Sequence, residues 1–131
     1  MELINSLPCG APQVARIAPG ELVELMRHPD ESLIKYRVAS DALYNENLPV
    51  KIREGAVLLC RTNFHEHEIN CRTICVVYLT ERGETLARTI CRHPANGTDS
   101  YMLRPLNPAF NSIFVAADCV KILAVAEKVL N

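Results

Sequence analysis

The fold is decided by residues 73–91, which read TICVVYLTERGETLARTIC. Two short runs of β-branched and apolar residues flank Glu81-Arg82-Gly83, and a glycine at that place is typical of a tight turn between antiparallel strands. The run Val76-Val77-Tyr78-Leu79 is apolar on both faces. We therefore expect this strand to be buried on both sides or paired at a subunit interface.

The same pattern of short apolar runs and turn residues continues in both directions along the chain. Turns are predicted at Arg53-Glu54-Gly55 and at Pro94-Ala95-Asn96-Gly97, where Asn-Gly tolerates positive φ. The pattern predicts one mostly antiparallel β domain over residues 33–131, whose long, apolar last strand is tied down or used as an interface edge. The predicted strands are Leu33–Ala39, Ala56–Cys60, Thr73–Leu79, Glu84–Cys91, Tyr101–Arg104, Ile113–Val115 and Val120–Val129.

The first 32 residues have a different composition, with a proline or glycine every few positions. So many breakers rule out one continuous regular element, and we predict an N-terminal arm over residues 1–32. Within it, Pro19–Met26 has the spacing of one short amphipathic helix, with Pro19 near its start and Pro29 shortly after its end.

Composition limits the classes of function. The chain has 131 residues, of which 49% are hydrophobic and 22% charged, and a net charge of −1. This length is enough to bury a core without metals or disulfides. The near-zero net charge argues against direct binding to DNA or to an anionic membrane. No apolar run is long enough to cross a bilayer and no secretory signal is visible, so we expect a cytoplasmic protein.

The six cysteines are expected to be reduced thiols, mostly buried as small apolar side chains, because nothing indicates export. His65-Glu66-His67 with Cys71 and Cys75 offers zinc-type ligands, but the spacing is not that of a known finger. We favour a solvated loop followed by buried cysteines. His28 and His93, each beside a proline, are expected to be surface residues, and Cys9 a cysteine without an activating cation.

Six pieces, in order along the chain, carry a resemblance to a known family: Cys9-Gly10, Ile17–Leu22 with His28-Pro29, Val38–Leu43, Ile52–Leu59, Gly83–Arg88 and Met102–Ile113. Their order and spacing resemble the self-cleaving domain of the LexA/UmuD family of Ser/Lys peptidases. The resemblance covers almost the whole chain. It implies a LexA/signal-peptidase-like curved antiparallel β domain with an extended N-terminal arm, in which Cys9-Gly10 matches the bond that UmuD cuts in itself.

Both catalytic groups of that family are replaced in this chain. Val38–Leu43 stands against the family pattern Val-x-Gly-Asp-Ser-Met, which places Ala42 at the nucleophile, and Arg88 falls at the general-base lysine. Alanine has no nucleophilic atom, and arginine stays protonated at any accessible pH. The resemblance therefore implies a former cleft at Ser40, Asp41 and Leu43, with no intact catalytic residue, no metal and no cofactor.

Two alternatives concern catalysis. Ser40 would share a strand face with Ala42 and could replace the missing nucleophile, but two residues along a strand displace it by about 7 Å, which is too far for attack. We expect its hydroxyl to be satisfied by nearby backbone instead. The chain could also be an active, or an engineered inactive, peptidase that cuts at Cys9-Gly10. Natural loss is favoured, because arginine is an unusual choice for disabling a base and the flanking Gly and Met are also replaced. For Arg88 we expect an ion pair with Asp41 or Glu84, or with a carboxylate of a partner.

The resemblance implies a function in binding. We expect a UmuD-like protein that acts through protein–protein interaction in the SOS response, translesion synthesis or transcriptional regulation. Its expected partners are a second copy of itself, a catalytic paralogue that cuts Cys9-Gly10 in trans, a polymerase or a recombinase filament. A DNA-binding repressor is excluded for this chain alone, since no room is left for a helix-turn-helix domain.

Overall fold

The structure is a computed structural model that describes residues 21–28, 32–92 and 99–130. These residues form eight strands in one antiparallel sheet with the order β1-β2-β3-β8-β4-β5-β6-β7. The sheet curls into a half-barrel, which confirms the expected mostly β, curved antiparallel fold. The strands are β1 (Leu22–His28), β2 (Leu33–Val38), β3 (Val57–Arg61), β4 (Cys75–Leu79), β5 (Glu84–Arg92), β6 (Ser100–Arg104), β7 (Ile113–Ala116) and β8 (Val120–Leu130).

The turns form where the glycines permit them. Gly55 and Gly83 have φ values of 99° and 66°, in the left-handed region that L-residues with a side chain rarely adopt. Both turns were predicted from the sequence and are confirmed. The third predicted turn, at residues 94–97, lies outside the described residues.

The predicted helix over Pro19–Met26 is wrong for its described part. Leu22–His28 is a strand that pairs with β2, with Leu22 opposite Val38 and His28 opposite Leu33. The segment is short enough to fit either period, and pairing decides because it buries Leu22 with the apolar side chains of β2. A bulge between Glu24 and Met26 bends this edge strand.

Two apolar clusters share the middle of the sheet. The first takes its side chains from β1 to β5 and from β8, and includes Val76 and Ala124. The second lies against the opposite face of β4, β5 and β8, is covered by β6 and β7, and includes Val77 and Leu103. Adjacent residues of β4 thus enter different clusters, which confirms that this strand is buried on both faces.

The last strand, β8, is tied down rather than used as an edge. Its second half pairs with β3 and its first half with β4, so it lies in the centre of the sheet. The register shifts once in each pairing because β8 carries one extra residue, Glu127 opposite Leu59/Cys60 of β3 and Leu123 opposite Val76/Val77 of β4. Bulges increase local twist and bending, and their position here accounts for the curl of the sheet at its middle.

Fewer of the described cysteines are buried than the sequence analysis predicts. Among the five described cysteines, Cys60 and Cys75 are buried, Cys91 and Cys119 are half-buried and Cys71 is exposed. Cys71 precedes β4 rather than lying in it, because residues 70–73 form a turn. In that turn the Arg72 amide donates to Asn70 Oδ1 at 2.8 Å and the Asn70 amide to Thr73 Oγ1 at 3.1 Å.

Candidate functional site

The loop that follows β2 holds the position expected for a nucleophile. Ala42 and Leu43 are each 1% exposed, so this part of the loop is a buried element of the domain. The Ala42 amide donates to Ser40 Oγ at 3.3 Å, and the Glu54 amide donates to Asp41 Oδ1 at 2.7 Å. The side chains of Ser40 and Asp41 therefore both accept hydrogen bonds from amides of the loop and fix its backbone.

A second segment clamps this loop from the other side. The amides of Leu106 and Asn107 both donate to the Ala42 carbonyl, at 3.0 and 2.9 Å, and Asn107 Nδ2 donates to the Asp41 carbonyl at 2.8 Å. In return Asn45 Nδ2 donates to the Leu106 carbonyl at 2.9 Å. The clamp belongs to Met102–Ile113, the stretch with the strongest resemblance to the family pattern, and it fixes the loop without any side-chain chemistry at Ala42.

Arg88 lies on β5 and is only 3% exposed. Its Nη1 and Nη2 donate to the two carboxylate oxygens of Glu21, at 2.7 and 3.1 Å, and Nη1 also donates to the Ala87 carbonyl at 3.0 Å. A two-pronged contact of this kind is the strongest geometry for an arginine with a carboxylate. Among the described residues, Arg88 Nε has no hydrogen-bond partner.

The backbone of Glu21 ties the same residue to two further parts of the fold. Its amide donates to the Thr85 carbonyl on β5 at 3.1 Å, and its carbonyl accepts from the Ala39 amide at 2.8 Å. Glu21 therefore bridges the start of β5 and the chain that leaves β2. Glu21 thus links Arg88 on β5 to Ala39, at the start of the loop that contains Ala42.

The expected internal ion pair of Arg88 is present, but its partner was not foreseen. Neither Asp41 nor Glu84 contacts it; Asp41 accepts a loop amide, and Glu84 lies 3.6 Å from Arg82. Glu21 is 67 residues away in sequence, in a segment predicted to be helical, and no local signal marks it.

Ser40 stands outside any strand, because β2 ends at Val38. The expectation that Ser40 and Ala42 share a strand face is therefore wrong, since strand alternation does not extend into the loop. The expected role of the Ser40 hydroxyl, satisfied by nearby backbone, is confirmed by its contact with the Ala42 amide. Cys9, Gly10 and His93 lie outside the described residues, as does the side chain of His28.

The histidine-rich loop does not assemble a metal site. His65 and His67 are exposed, with ring centroids 5.3 Å apart in a stacked arrangement, whereas Cys75 is fully buried. Within residues 21–28, 32–92 and 99–130, no group of three or more His, Cys, Asp or Glu side chains is placed to hold a metal ion.

The buried thiols are held in their unreactive form. Burial raises the pKa of Cys60 to about 12, with smaller contributions from Cys75 and Glu127, and burial raises the pKa of Cys75 to about 11. Since the thiolate is the nucleophilic form of cysteine, neither residue is equipped for covalent catalysis.

Two surface clefts lie away from this site. One, of about 160 Å³, is lined by Ile69, Ile90 and Ile122 with polar groups at its rim; the other, of about 480 Å³, lies beside Ile74 and Val129. Neither is lined by Ala42 or Arg88.

Compared with known proteins, the chain matches no family model and no curated protein sequence. Among the described residues, no helix has the length and apolar character needed to cross a membrane. The site is thus defined by its own geometry, as a buried, hydrogen-bonded loop joined through Glu21 to a buried arginine.

Proposed function

We propose that this chain is a non-catalytic protein with a LexA/UmuD-type peptidase fold that acts by binding other proteins. Its place would be the SOS response, translesion synthesis or transcriptional regulation, in the cytoplasm. The expected partners are a second copy, a catalytic paralogue, a polymerase or a recombinase filament.

One observation carries the proposal: at the two positions where the family resemblance expects catalytic groups, the side chains take structural roles. Ala42 is packed inside the clamped loop and offers no nucleophile. Arg88 is committed to Glu21, and its charge excludes it as a base.

The experiment restores the missing chemistry. The variant Ala42→Ser/Arg88→Lys supplies a nucleophile and a base, but the Glu21 carboxylate would stabilise the charged form of a lysine at position 88. We therefore add Glu21→Gln, which keeps a polar group of the same size. Intact mass is followed for days at neutral and alkaline pH, with Ala42→Ser and Arg88→Lys alone as controls that lack one catalytic group each.

The native chain and both single variants are expected to stay whole, while the triple variant loses its first nine residues by cleavage between Cys9 and Gly10. Cleavage of the native chain at that bond would overturn the non-catalytic proposal. A folded triple variant that stays intact over the whole pH range would count against the family resemblance itself.

A mixing experiment addresses the partner. The native chain is incubated with a catalytically competent LexA/UmuD-type peptidase, and we expect cleavage at Cys9-Gly10 in trans. A chain whose mass does not change in the mixture would remove the catalytic paralogue from the expected partners.

A further inference from the structure

The contact between Arg88 and Glu21 joins a buried side chain to a partly exposed one. The guanidinium is 3% exposed, whereas the Glu21 side chain is 25% exposed and lies on the solvent side of the pair. The carboxylate can therefore leave without any movement of β5, and the arginine behind it stays in place as part of the sheet. Because arginine keeps its charge, the vacated position would favour another anionic group.

The backbone around Glu21 continues the same arrangement. The Thr85 carbonyl accepts a hydrogen bond from the Glu21 amide, and the Glu21 carbonyl accepts one from the Ala39 amide. These two hydrogen bonds use only the backbone N–H and C=O of one residue, so a segment of another chain with a carboxylate side chain at this place can repeat them. We call the space bounded by Ala39, Thr85 and Arg88 the Glu21 slot.

The slot favours a peptide over a free anion. An anion such as phosphate offers only acceptors, and it would face the Thr85 carbonyl, which needs a donor. A peptide residue brings an amide for Thr85, a carbonyl for Ala39 and, if acidic, a carboxylate for Arg88. The chemistry of the slot therefore selects an acidic residue in an extended chain.

Glu21 leaves part of the arginine unsatisfied. Its two oxygens engage Nη1 and Nη2, while Arg88 Nε is buried and has no partner among the described residues. A buried unpaired donor destabilises the arrangement that leaves it so. An occupant that also reaches Nε would be a better ligand than Glu21, which makes the resident carboxylate replaceable.

We propose that the Glu21 slot is a binding site for an acidic residue in an extended segment of a partner protein, and that Glu21 is its resident occupant. Binding then exchanges one carboxylate for another on Arg88 and releases Glu21 from this contact. The proposal adds a specific site to the binding function proposed above. It rests on that function for one point, that the partner is a protein. The carboxylate chemistry rests on the contacts of Arg88 and Glu21 alone.

The test uses the full chain with Glu21→Ala, which removes the resident carboxylate from Arg88 and leaves the backbone of residue 21 to be displaced by the probe. The probe is the heptapeptide of residues 18–24, Ala-Pro-Gly-Glu-Leu-Val-Glu, and the comparison peptide carries glutamine in place of its first glutamate. Binding is measured by NMR titration that follows the Arg88 Nε–H and Ala39 amide signals. We expect the acidic peptide to bind the Glu21→Ala variant at least tenfold more tightly than the native chain, and at least tenfold more tightly than the glutamine peptide binds.

Two control variants make the result specific. Glu21→Ala/Arg88→Met removes the receptor and should abolish the preference for the acidic peptide. Glu24→Ala removes an exposed carboxylate that pairs with Arg27 at 3.3 Å on the surface, and should bind no better than the native chain. If Glu21→Ala does not fold, Glu21→Gln is used, because its amide oxygen can still accept a hydrogen bond from Arg88 while the side chain lacks the charge.

Equal binding of the acidic and glutamine peptides, or an undiminished preference in the double variant, would overturn the proposal. Inorganic phosphate at matched ionic strength is titrated in parallel. If phosphate moves the Arg88 signal as strongly as the peptide does, the slot is a simple anion site and the proposal is also overturned. None of these outcomes depends on cleavage at Cys9-Gly10, so the failure of this site and the failure of the proposed function are distinguishable.

Discussion

Arginine at position 88 changes what its surroundings must supply. A lysine that acts as a base loses its proton and needs no permanent counter-ion, whereas arginine keeps its charge inside the protein. Glu21 provides the lasting counter-charge at 2.7 Å, and its backbone joins β5 to the chain after β2. The charge of Arg88 on β5 is thus matched by a residue 67 positions away in the sequence.

The Glu21–Arg88 pair should contribute to stability. Because Glu21→Ala leaves a buried charge unpaired, we expect it to lower the free energy of unfolding by about 2 to 3 kcal/mol, less than for a fully buried pair since Glu21 is partly solvated. Glu21→Ala/Arg88→Met should be less destabilised than Glu21→Ala alone, because methionine leaves no charge behind. Urea unfolding measures both.

The matched control for this pair is Glu84→Gln, which removes the exposed contact with Arg82. That change should alter stability by less than about 0.5 kcal/mol. If the loss of stability in Glu21→Ala/Arg88→Met equals the sum of the losses in Glu21→Ala and in Arg88→Met, Glu21 and Arg88 do not interact.

The cysteines differ in reactivity because their surroundings differ. We expect iodoacetamide at pH 8 to label Cys71, which is exposed, and to leave Cys60 and Cys75 unmodified until the protein unfolds. Peptide mapping by mass spectrometry assigns the labelled positions. Labelling of Cys75 at the rate of Cys71 would contradict the burial of β4.

Alkaline pH should destabilise the fold through the same two thiols. Burial raises the pKa of Cys60 and Cys75 to about 12 and about 11 from the ordinary value of 9.0, so the unfolded chain loses these protons first. Their contribution is complete below pH 9 and is lost as the pH rises above it. Thermal unfolding between pH 8 and 10 should show a falling midpoint, with a shallower slope in Cys60→Ala/Cys75→Ala.

At the scale of the elements, β1 and β5 show where a sequence pattern is sufficient. Alternation, β-branched residues and the glycine turn predicted Glu84–Cys91, and β5 extends over Glu84–Arg92. The run Leu22–Met26 fits both a helix and a strand, because five residues are too few to distinguish a helical period of about 3.6 residues from a strand period of about 2. The register of β1 against β2 decides between them, and that register is not written in the local pattern.

Two leucines in β1 separate strand from helix experimentally. In the strand, Leu22 is 9% exposed and packs in the first cluster, while Leu25 is 43% exposed. We expect Leu22→Ala to cost about 2 to 3 kcal/mol and Leu25→Ala less than about 1 kcal/mol in urea unfolding. In a helix the two side chains would share a face, so similar costs would contradict the strand.

For the molecule as a whole, β4 and β8 lie between the two apolar clusters and contribute side chains to both. Val76 and Val77 are both fully buried although they point to opposite faces of β4. The chain can bury both because β8 and β5 flank β4 on either side and the curl of the sheet covers both faces. Stability is therefore shared between the clusters through one strand.

Truncation on either face of β4 should be costly. We expect Val76→Ala and Val77→Ala each to lower the free energy of unfolding by about 2 kcal/mol, because each leaves a cavity in a closed cluster. Val50→Ala, at an exposed position, should cost less than about 0.5 kcal/mol. A large cost for only one of the two β4 valines would mean that the other face is open to water.

The local residue pattern is enough to predict the class of fold and the turns at Gly55 and Gly83, because these depend on side-chain alternation or on one residue's backbone freedom. For β4 it left two alternatives, burial on both faces or pairing at a subunit interface. It also determined that neither Ala42 nor Arg88 supplies the expected catalysis, which follows from the atoms these residues carry. Three features are visible only in the folded chain: residues 22–28 form a strand, β8 lies in the centre of the sheet, and Glu21 pairs with Arg88. Those features depend on contacts between residues far apart in the chain, where burial and charge pairing outweigh local preference.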